Sequence, residues 1–113
     1  MFEPLAVTRM AHALAAHAST RQSVIATNVA QADTPGYRAR EVEDFATHFR
    51  RLQAEPAAAP RAFAQAGAAL SPNGNSVSLE TEMTKAAETR QQFDMALSIY
   101  SSVSTILRTS LGR

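Results

Sequence analysis

The sequence contains no cysteine and no tryptophan in 113 residues. Without cysteine the chain can form neither a disulfide framework nor a thiolate nucleophile, and its composition does not indicate a redox compartment. Large side chains are few, with 5 Phe, 2 Tyr and 4 Met, and much of the 45% apolar content is alanine. A core built from this chain alone would be thin, so we expect its stability to depend on other subunits.

Long apolar runs and clustered basic charge are also missing. No stretch approaches the ~18 to 20 apolar residues that a membrane span requires. Arg9, His12 and His17 interrupt the N-terminal segment, so a cleaved secretory signal is not expected. The formal net charge is +1, and Glu41, Glu43 and Asp44 lie among the arginines of 38–51. Nucleic-acid binding requires a basic patch, so this sequence does not predict it.

The residues that carry catalytic chemistry form no recognisable constellation. His12 and His17 are five positions apart, which on a helix does not bring two imidazoles together, and His48 is isolated. Neither a Gly-x-Ser-x-Gly elbow nor a phosphate-binding glycine loop is present. We therefore expect no catalytic residues, no metal, no cofactor and no small-molecule substrate, and we do not expect an enzyme.

Helical periodicity is strong near the start of the chain. Apolar residues recur at steps of 3, 4 or 7 and predict a helix over 4–33. Thr34 precedes Pro35, which disfavours helical angles and ends the helix. Thr34-Pro35-Gly36-Tyr37 has the composition of a type II turn. The positions of this helix that we expect at helix interfaces are Leu14, Ile25 and Val29.

A second helix is predicted over 78–111, with Ser78 as its N-cap. Its apolar residues alternate steps of 3 and 4 over more than four heptads. The expected interface positions are Leu79, Met83, Phe93, Leu97, Tyr100, Val103 and Leu107. This stripe is wider than pairing with one helix can cover, and exposed apolar surface of that kind marks an interaction site.

The middle of the chain, 34–77, is predicted to hold a turn, an arm and a loop. Val42, Phe45 and Phe49 lie at helical spacing and indicate a short helix or an arm over 38–53. The Ala/Pro-rich composition of 54–75 indicates a mobile loop or a short extended arm. We expect one all-α domain over 1–113, in which the two long helices pair as an antiparallel coiled-coil-like hairpin.

The run from Asn28 to Tyr37 (NVAQADTPGY) resembles the N-terminal signature of the bacterial flagellar rod, hook and axial protein family. The segments 77–83 and 93–97 resemble the C-terminal helix of the same family, and the short length is similar to its proximal rod members. Gln31 stands where the family often has Asn, and Phe93 where it often has Tyr. The signature positions that we expect to guide assembly are Asn28, Gln31, Asp33, Thr34, Pro35, Gly36 and Tyr37.

The resemblance implies a structural subunit of the flagellar basal-body rod, located in the periplasm and exported by the flagellar type III apparatus without a cleaved signal. Such subunits assemble helically through their terminal helices, which are poorly ordered alone, and form part of the motor drive shaft. The implied partners are other rod proteins, further copies of the chain, the export gate with its adaptor protein, and the membrane ring at the rod base.

Two interpretations without an axial role remain open from the residues alone. A free-standing helical adaptor or coiled-coil dimer would share the apolar stripes, although it would not account for the turn signature. A membrane-surface amphipathic protein would need Lys or Arg along its polar face and aromatic anchors. Residues 4–33 offer only Arg9 and Arg21 for that purpose.

Overall fold

The computed structural model describes residues 4–67 and 69–112, so positions 1–3 and 113 of the predicted 1–113 unit lie outside the described residues. The elements in chain order are helix α1, strand β1, helix α2, strand β2 and helix α3. Their bounds are Pro4–Ala30, Arg40–Val42, Phe45–Ala54, Ala62–Ala64 and Leu79–Ser110. The fold is mainly helical, as the sequence predicted, and it also contains two short strands.

The two long helices pack against each other and run in opposite directions. Asn28 near the end of α1 contacts Glu82 near the start of α3, and Arg21 lies 4.0 Å from Glu88 further along. The molecule measures 63 × 28 × 19 Å and its radius of gyration is 17.5 Å. A compact chain of this length would have a radius of gyration of about 13 Å. The fold is therefore an elongated rod of two helices with a small attachment.

The shielded positions on both long helices recur at steps of 3 and 4. On α1 one such series is Ala11, Leu14, Ala18, Arg21, Ile25 and Asn28, and Ala13 and His17 are buried in addition to it. On α3 they are Glu82, Lys85, Thr89, Gln92, Ala96, Ile99 and Val103. Most of these side chains are small or polar. Apart from Val103, each predicted interface position of α3 from Met83 to Tyr100 thus directly follows a residue of this inward series. A shift of one residue corresponds to a rotation of about 100° around the helix axis.

The predicted interface residues therefore divide between the inside and the outside of the chain. Ile25 is buried, and Leu14, Phe93 and Val103 are partly exposed. The remaining six are exposed: Val29, Leu79, Met83, Leu97, Tyr100 and Leu107. We call the outer stripe the exposed α3 residues Leu79, Met83, Leu97, Tyr100 and Leu107 together with Leu111, which directly follows the helix.

Strands β1 and β2 form a two-stranded antiparallel sheet that the sequence did not predict. Arg40 pairs with Ala64, and Val42 pairs with Ala62. Val42 is buried, whereas all of β2 is exposed. Alanine has a low strand propensity, so the pairing comes from the tertiary position of β1 against α1 rather than from local preference. The segment 54–75, predicted as a mobile loop or extended arm, thus contains a paired strand.

Helix α1 ends at Ala30, three residues before the predicted end at Asp33. The last turn tightens because the amides of Gln31 and Ala32 donate to carbonyls three residues back, at 3.2 Å each. Helix α3 begins after Ser78, whose hydroxyl accepts a hydrogen bond from the Thr81 amide at 3.3 Å. This bond satisfies one of the free amides of the first turn.

Candidate functional site

Asn28 is at the centre of a buried polar cluster where four parts of the chain meet: α1, the turn that follows it, β1 and α3. Its Nδ2 donates to the Arg40 carbonyl at 2.8 Å and to Glu82 Oε1 at 2.7 Å. Its Oδ1 accepts from the Tyr37 hydroxyl at 2.9 Å and from the Arg40 amide at 3.0 Å. An asparagine amide offers two donors and two lone pairs, so every bonding site of this buried side chain is used.

The Thr34–Tyr37 turn connects α1 to β1. The Tyr37 amide donates to the Thr34 carbonyl at 3.2 Å, and Gly36 has φ 76°. Both features fit a type II turn, in which the third residue needs a positive φ. No atom lies within 4 Å of the place a Cβ on Gly36 would occupy. Glycine is therefore required there by its backbone angle and not by lack of space.

A second buried amide, Asn75, holds the turn from the other side. Its Nδ2 donates to the carbonyls of Gln31 and Thr34 at 2.8 and 2.7 Å. Its Oδ1 accepts from the Val77 amide at 2.8 Å. The neighbouring Ser76 donates its amide to the Tyr37 carbonyl at 3.0 Å. The segment before α3 is thus fastened to the end of α1.

The signature residues separate into an inner and an outer group. Asn28 is buried and Tyr37 is half-buried, and both belong to the cluster. The side chain of Gln31 accepts a 2.6 Å hydrogen bond from the Thr34 hydroxyl at the surface. Asp33, Thr34, Pro35 and Gly36 are exposed. Asn75, Ser76 and Glu82 were not predicted from the sequence. The polar composition before α3 could have indicated Asn75 and Ser76, whereas no signal indicated that Glu82, inside α3, is buried.

A chain of charged side chains extends the cluster along α3. Lys85 Nζ lies 3.6 Å from Glu82 Oε2 and 3.0 Å from Glu41 Oε2, and Arg21 Nε lies 3.3 Å from Glu41 Oε1. Burial, the largest single influence, acts to raise the pKa of Glu41. The Val42 amide, Lys85 and Arg21 together outweigh it, so the pKa of Glu41 is lowered. Glu41 is therefore held as a carboxylate that joins α1, β1 and α3.

Helix α2 is attached to α1 by a second set of contacts. His17 Nε2 donates to the Glu43 carbonyl at 2.6 Å, and His48 Nε2 donates to the Ala58 carbonyl at 3.1 Å. The two buried imidazoles stack with ring centroids 5.9 Å apart. The hydrogen bond from the Arg51 guanidinium holds the pKa of Glu43 below its usual range. These histidines serve packing between helices.

Among residues 4–67 and 69–112, no group of three or more His, Cys, Asp or Glu side chains is placed to hold a metal ion. Within the same residues, none of the helices has the length and apolar character to cross a membrane.

Comparison with known proteins identifies the family. No protein-family profile matches the chain. The flagellar basal body rod protein FlgB of Agrobacterium fabrum (strain C58 / ATCC 33970) is 30% identical over 129 residues of alignment, which span 98% of this chain and 96% of that protein. This chain belongs to the FlgB family. The FlgB proteins of Escherichia coli (strain K12) and Shigella flexneri are each 32% identical over 104 residues, covering 72% of this chain and 75% of theirs.

FlgB membership confirms the resemblance seen in the sequence. The family name associates the chain with the flagellum, its basal body and the rod, and so with a structural part of the motility apparatus.

Proposed function

We propose that this chain is a structural subunit of the flagellar basal-body rod, that it assembles helically through α1 and α3, and that it forms part of the motor drive shaft. The observation that carries the proposal is the similarity to a FlgB protein over 98% of the chain. In this proposal the rod lies in the periplasm, and the subunit reaches it through the flagellar export apparatus without a cleaved signal.

The outer stripe supports assembly through the terminal helices. Its residues are apolar and exposed, with Met83 71% and Leu97 50% accessible, while the inward face of α3 is largely polar or small. A chain cannot cover this stripe by itself, and exposed apolar surface of this extent indicates a binding surface. Contacts between unlike faces of identical subunits generate open helical arrays when they do not close.

The helix pairing supports the same role. Shielded positions at steps of 3 and 4 on both α1 and α3 are the spacing of a coiled-coil-like antiparallel hairpin, which we propose as the rod core of a single domain over 1–113. In this domain 4–33 supplies the first helical arm, 34–77 the turn, arm and loop, and 78–111 the second helical arm. Asn28 and Asn75 fix the angle at which the chain leaves α1, and so the position of neighbouring subunits.

The proposed partners follow from the same surfaces. Copies of the chain and other rod proteins cover the outer stripe and the exposed turn residues such as Asp33 and Pro35. At the rod base, the export gate with its adaptor protein and the membrane ring are the expected neighbours. The proposal includes no nucleic acid, small-molecule substrate or cofactor.

Deletion of the gene from the source bacterium, with complementation by an epitope-tagged chain, tests this function. The expected result is loss of swimming on deletion, its recovery on complementation, and the tag in purified basal bodies. Normal motility without the gene, or a tag that remains outside basal bodies, would contradict the proposal. The adaptor or dimer alternative predicts a folded soluble dimer at micromolar concentration that does not enter basal bodies.

A further inference from the structure

A cleft of about 660 Å³ lies between the first turns of α1 and helix α2. Its apolar lining comes from Val7 and Met10 of α1 and from Phe49 of α2. Arg9 and Arg50 also line it, and no acidic side chain belongs to its lining in the part of the chain that the structure describes. The cleft therefore suits an apolar segment that carries negative charge.

The start of α3 has the complementary character. Leu79 and Met83, one helical turn apart, are 51% and 71% exposed. Glu80 lies beside them in the first turn and is also exposed. Within residues 4–67 and 69–112, Glu80 has no basic side chain at ion-pair distance, and neither Arg9 nor Arg50 has a carboxylate partner.

We propose that the start of α3 of one copy docks into this cleft on a second copy of the chain. Leu79 and Met83 enter the apolar lining, as amphipathic helices do when they bind grooves. Glu80 approaches Arg9 and Arg50, which gives the contact its orientation. This inference rests on the proposed function, because it specifies one of the contacts by which subunits assemble.

The positions of the two surfaces exclude docking within a single copy. The cleft is near Met10, whereas the start of α3 lies beside Asn28, as the Asn28–Glu82 hydrogen bond shows. Eighteen residues of α1 separate these points, about 27 Å along the helix. The contact joins two different surfaces, and repeating it in one sense produces an open chain of subunits when the rotation does not close into a ring.

Engineered disulfides test the docking in assembled basal bodies. The chain has no cysteine, so introduced thiols are the only ones it carries. In a strain that produces Met10→Cys/Met83→Cys, mild oxidation of purified basal bodies should give crosslinked dimers and higher multimers of the chain. Each single variant and the double variant Met10→Cys/Met95→Cys should give little, because Met95 is also exposed, at 50%, but lies elsewhere on α3.

Charge reversal adds an independent measurement. Glu80→Arg should lower the crosslink yield by about two- to fivefold, the range that an exposed ion pair allows. Combination with Arg9→Glu and Arg50→Glu should restore the yield. Equal yields from the test pair and the Met95 control, or crosslinking of Met10→Cys to a different protein, would overturn the docking. The chain would still be present in basal bodies in that case, so the rod function would stand separately.

Discussion

Asn28 shows how one side chain can determine the geometry of a junction. It bonds to the turn through Tyr37, to β1 through Arg40 and to α3 through Glu82. Glu82 is 1% exposed, so its carboxylate depends on Asn28 and Lys85 for compensation. A fully satisfied buried polar cluster adds specificity, because a shifted helix register would leave these groups unpaired.

Replacement of Asn28 by alanine should lower the free energy of unfolding by about 2 to 4 kcal/mol. The change leaves the Tyr37 hydroxyl, the Arg40 amide and the Glu82 carboxylate without their partner in a buried site. Urea unfolding at fixed protein concentration measures the effect. Gln31→Ala is the matched control and should cost less than about 1 kcal/mol, since among the described residues its side-chain amide bonds only to Thr34, at the surface. Equal losses in the two variants would contradict the role of Asn28.

Gly36→Val should impair motility, whereas Gly67→Val should not. Both glycines have a positive φ, 76° and 73°, and both have space for a side chain. The conformational strain is therefore similar, about 1 to 3 kcal/mol. Of the two, only Gly36 belongs to a turn held by other segments: its amide donates to the Asn73 carbonyl, and Asn75 donates to the Thr34 carbonyl. Swimming assays of the two strains measure the difference, and equal swimming would show that the turn angle does not guide assembly.

Acidification should weaken the junction through Glu41. The pKa of this carboxyl is lowered in the folded chain from about 4.5, so its stabilising contribution is complete above that value. The contribution is lost as the pH falls through the lowered folded-state pKa, because the proton removes the pairing with Lys85 and Arg21. Unfolding midpoints measured from pH 6 to about pH 3 should fall less in Glu41→Gln than in the wild-type chain. Parallel curves for the two proteins would exclude this contribution.

The turn itself was predictable, but the residues that hold it were not. Asn28, Pro35 and Gly36 belong to one short stretch of sequence, and their residue types have strong backbone or hydrogen-bonding preferences. Glu82 is 54 residues from Asn28, and no local pattern shows that the two meet. An exposed first-turn position is the usual place for a glutamate. Its burial follows only from the tertiary packing.

At the scale of elements, small and polar residues determine which face of α3 packs against α1. Ala11 and Ala18 on α1 and Ala96 on α3 are buried, and alanine lets helix backbones approach closely. Lys85 and Arg21 share the carboxylate of Glu41 within the same packed region. Apolar periodicity predicted that the stripe beginning at Leu79 lies at a helix interface. The helix was predicted, but its rotation was not, because the sequence does not distinguish an internal partner from an external one.

Leu97→Asp should prevent rod assembly while leaving the isolated chain folded. Leu97 is half exposed, so the change should reduce the unfolding free energy by less than about 1.5 kcal/mol. The adjacent Ala96 is 1% exposed, and Ala96→Asp should cost about 3 to 5 kcal/mol through an uncompensated buried charge. Leu107→Asp should behave as Leu97→Asp does. Unfolding curves together with electron microscopy of basal bodies check both parts, and intact rods from Leu97→Asp would contradict the assembly role.

Across the whole molecule, the elongated shape goes with a thin core, which supports our proposal that neighbouring subunits stabilise the chain. Its core consists mainly of alanines with Ile25 and Val42, and the last turns of α3 are exposed on all described residues from Thr105 to Gly112. Few buried apolar contacts and exposed helix ends indicate low local stability. The thin core could be predicted from the composition. The ordered junction around Asn28, at the other end of α3 from Thr105–Gly112, could not.

Thiol labelling of two single-cysteine variants tests most directly whether the outer stripe is reserved for partners. Thr89→Cys reports the buried face of α3 and Leu97→Cys reports the outer stripe. In the purified chain, Leu97→Cys should react with a maleimide faster than Thr89→Cys by at least about tenfold. In isolated basal bodies the reaction at Leu97→Cys should slow to a similar extent. Equally fast labelling of Leu97→Cys in the free chain and in basal bodies would contradict the account.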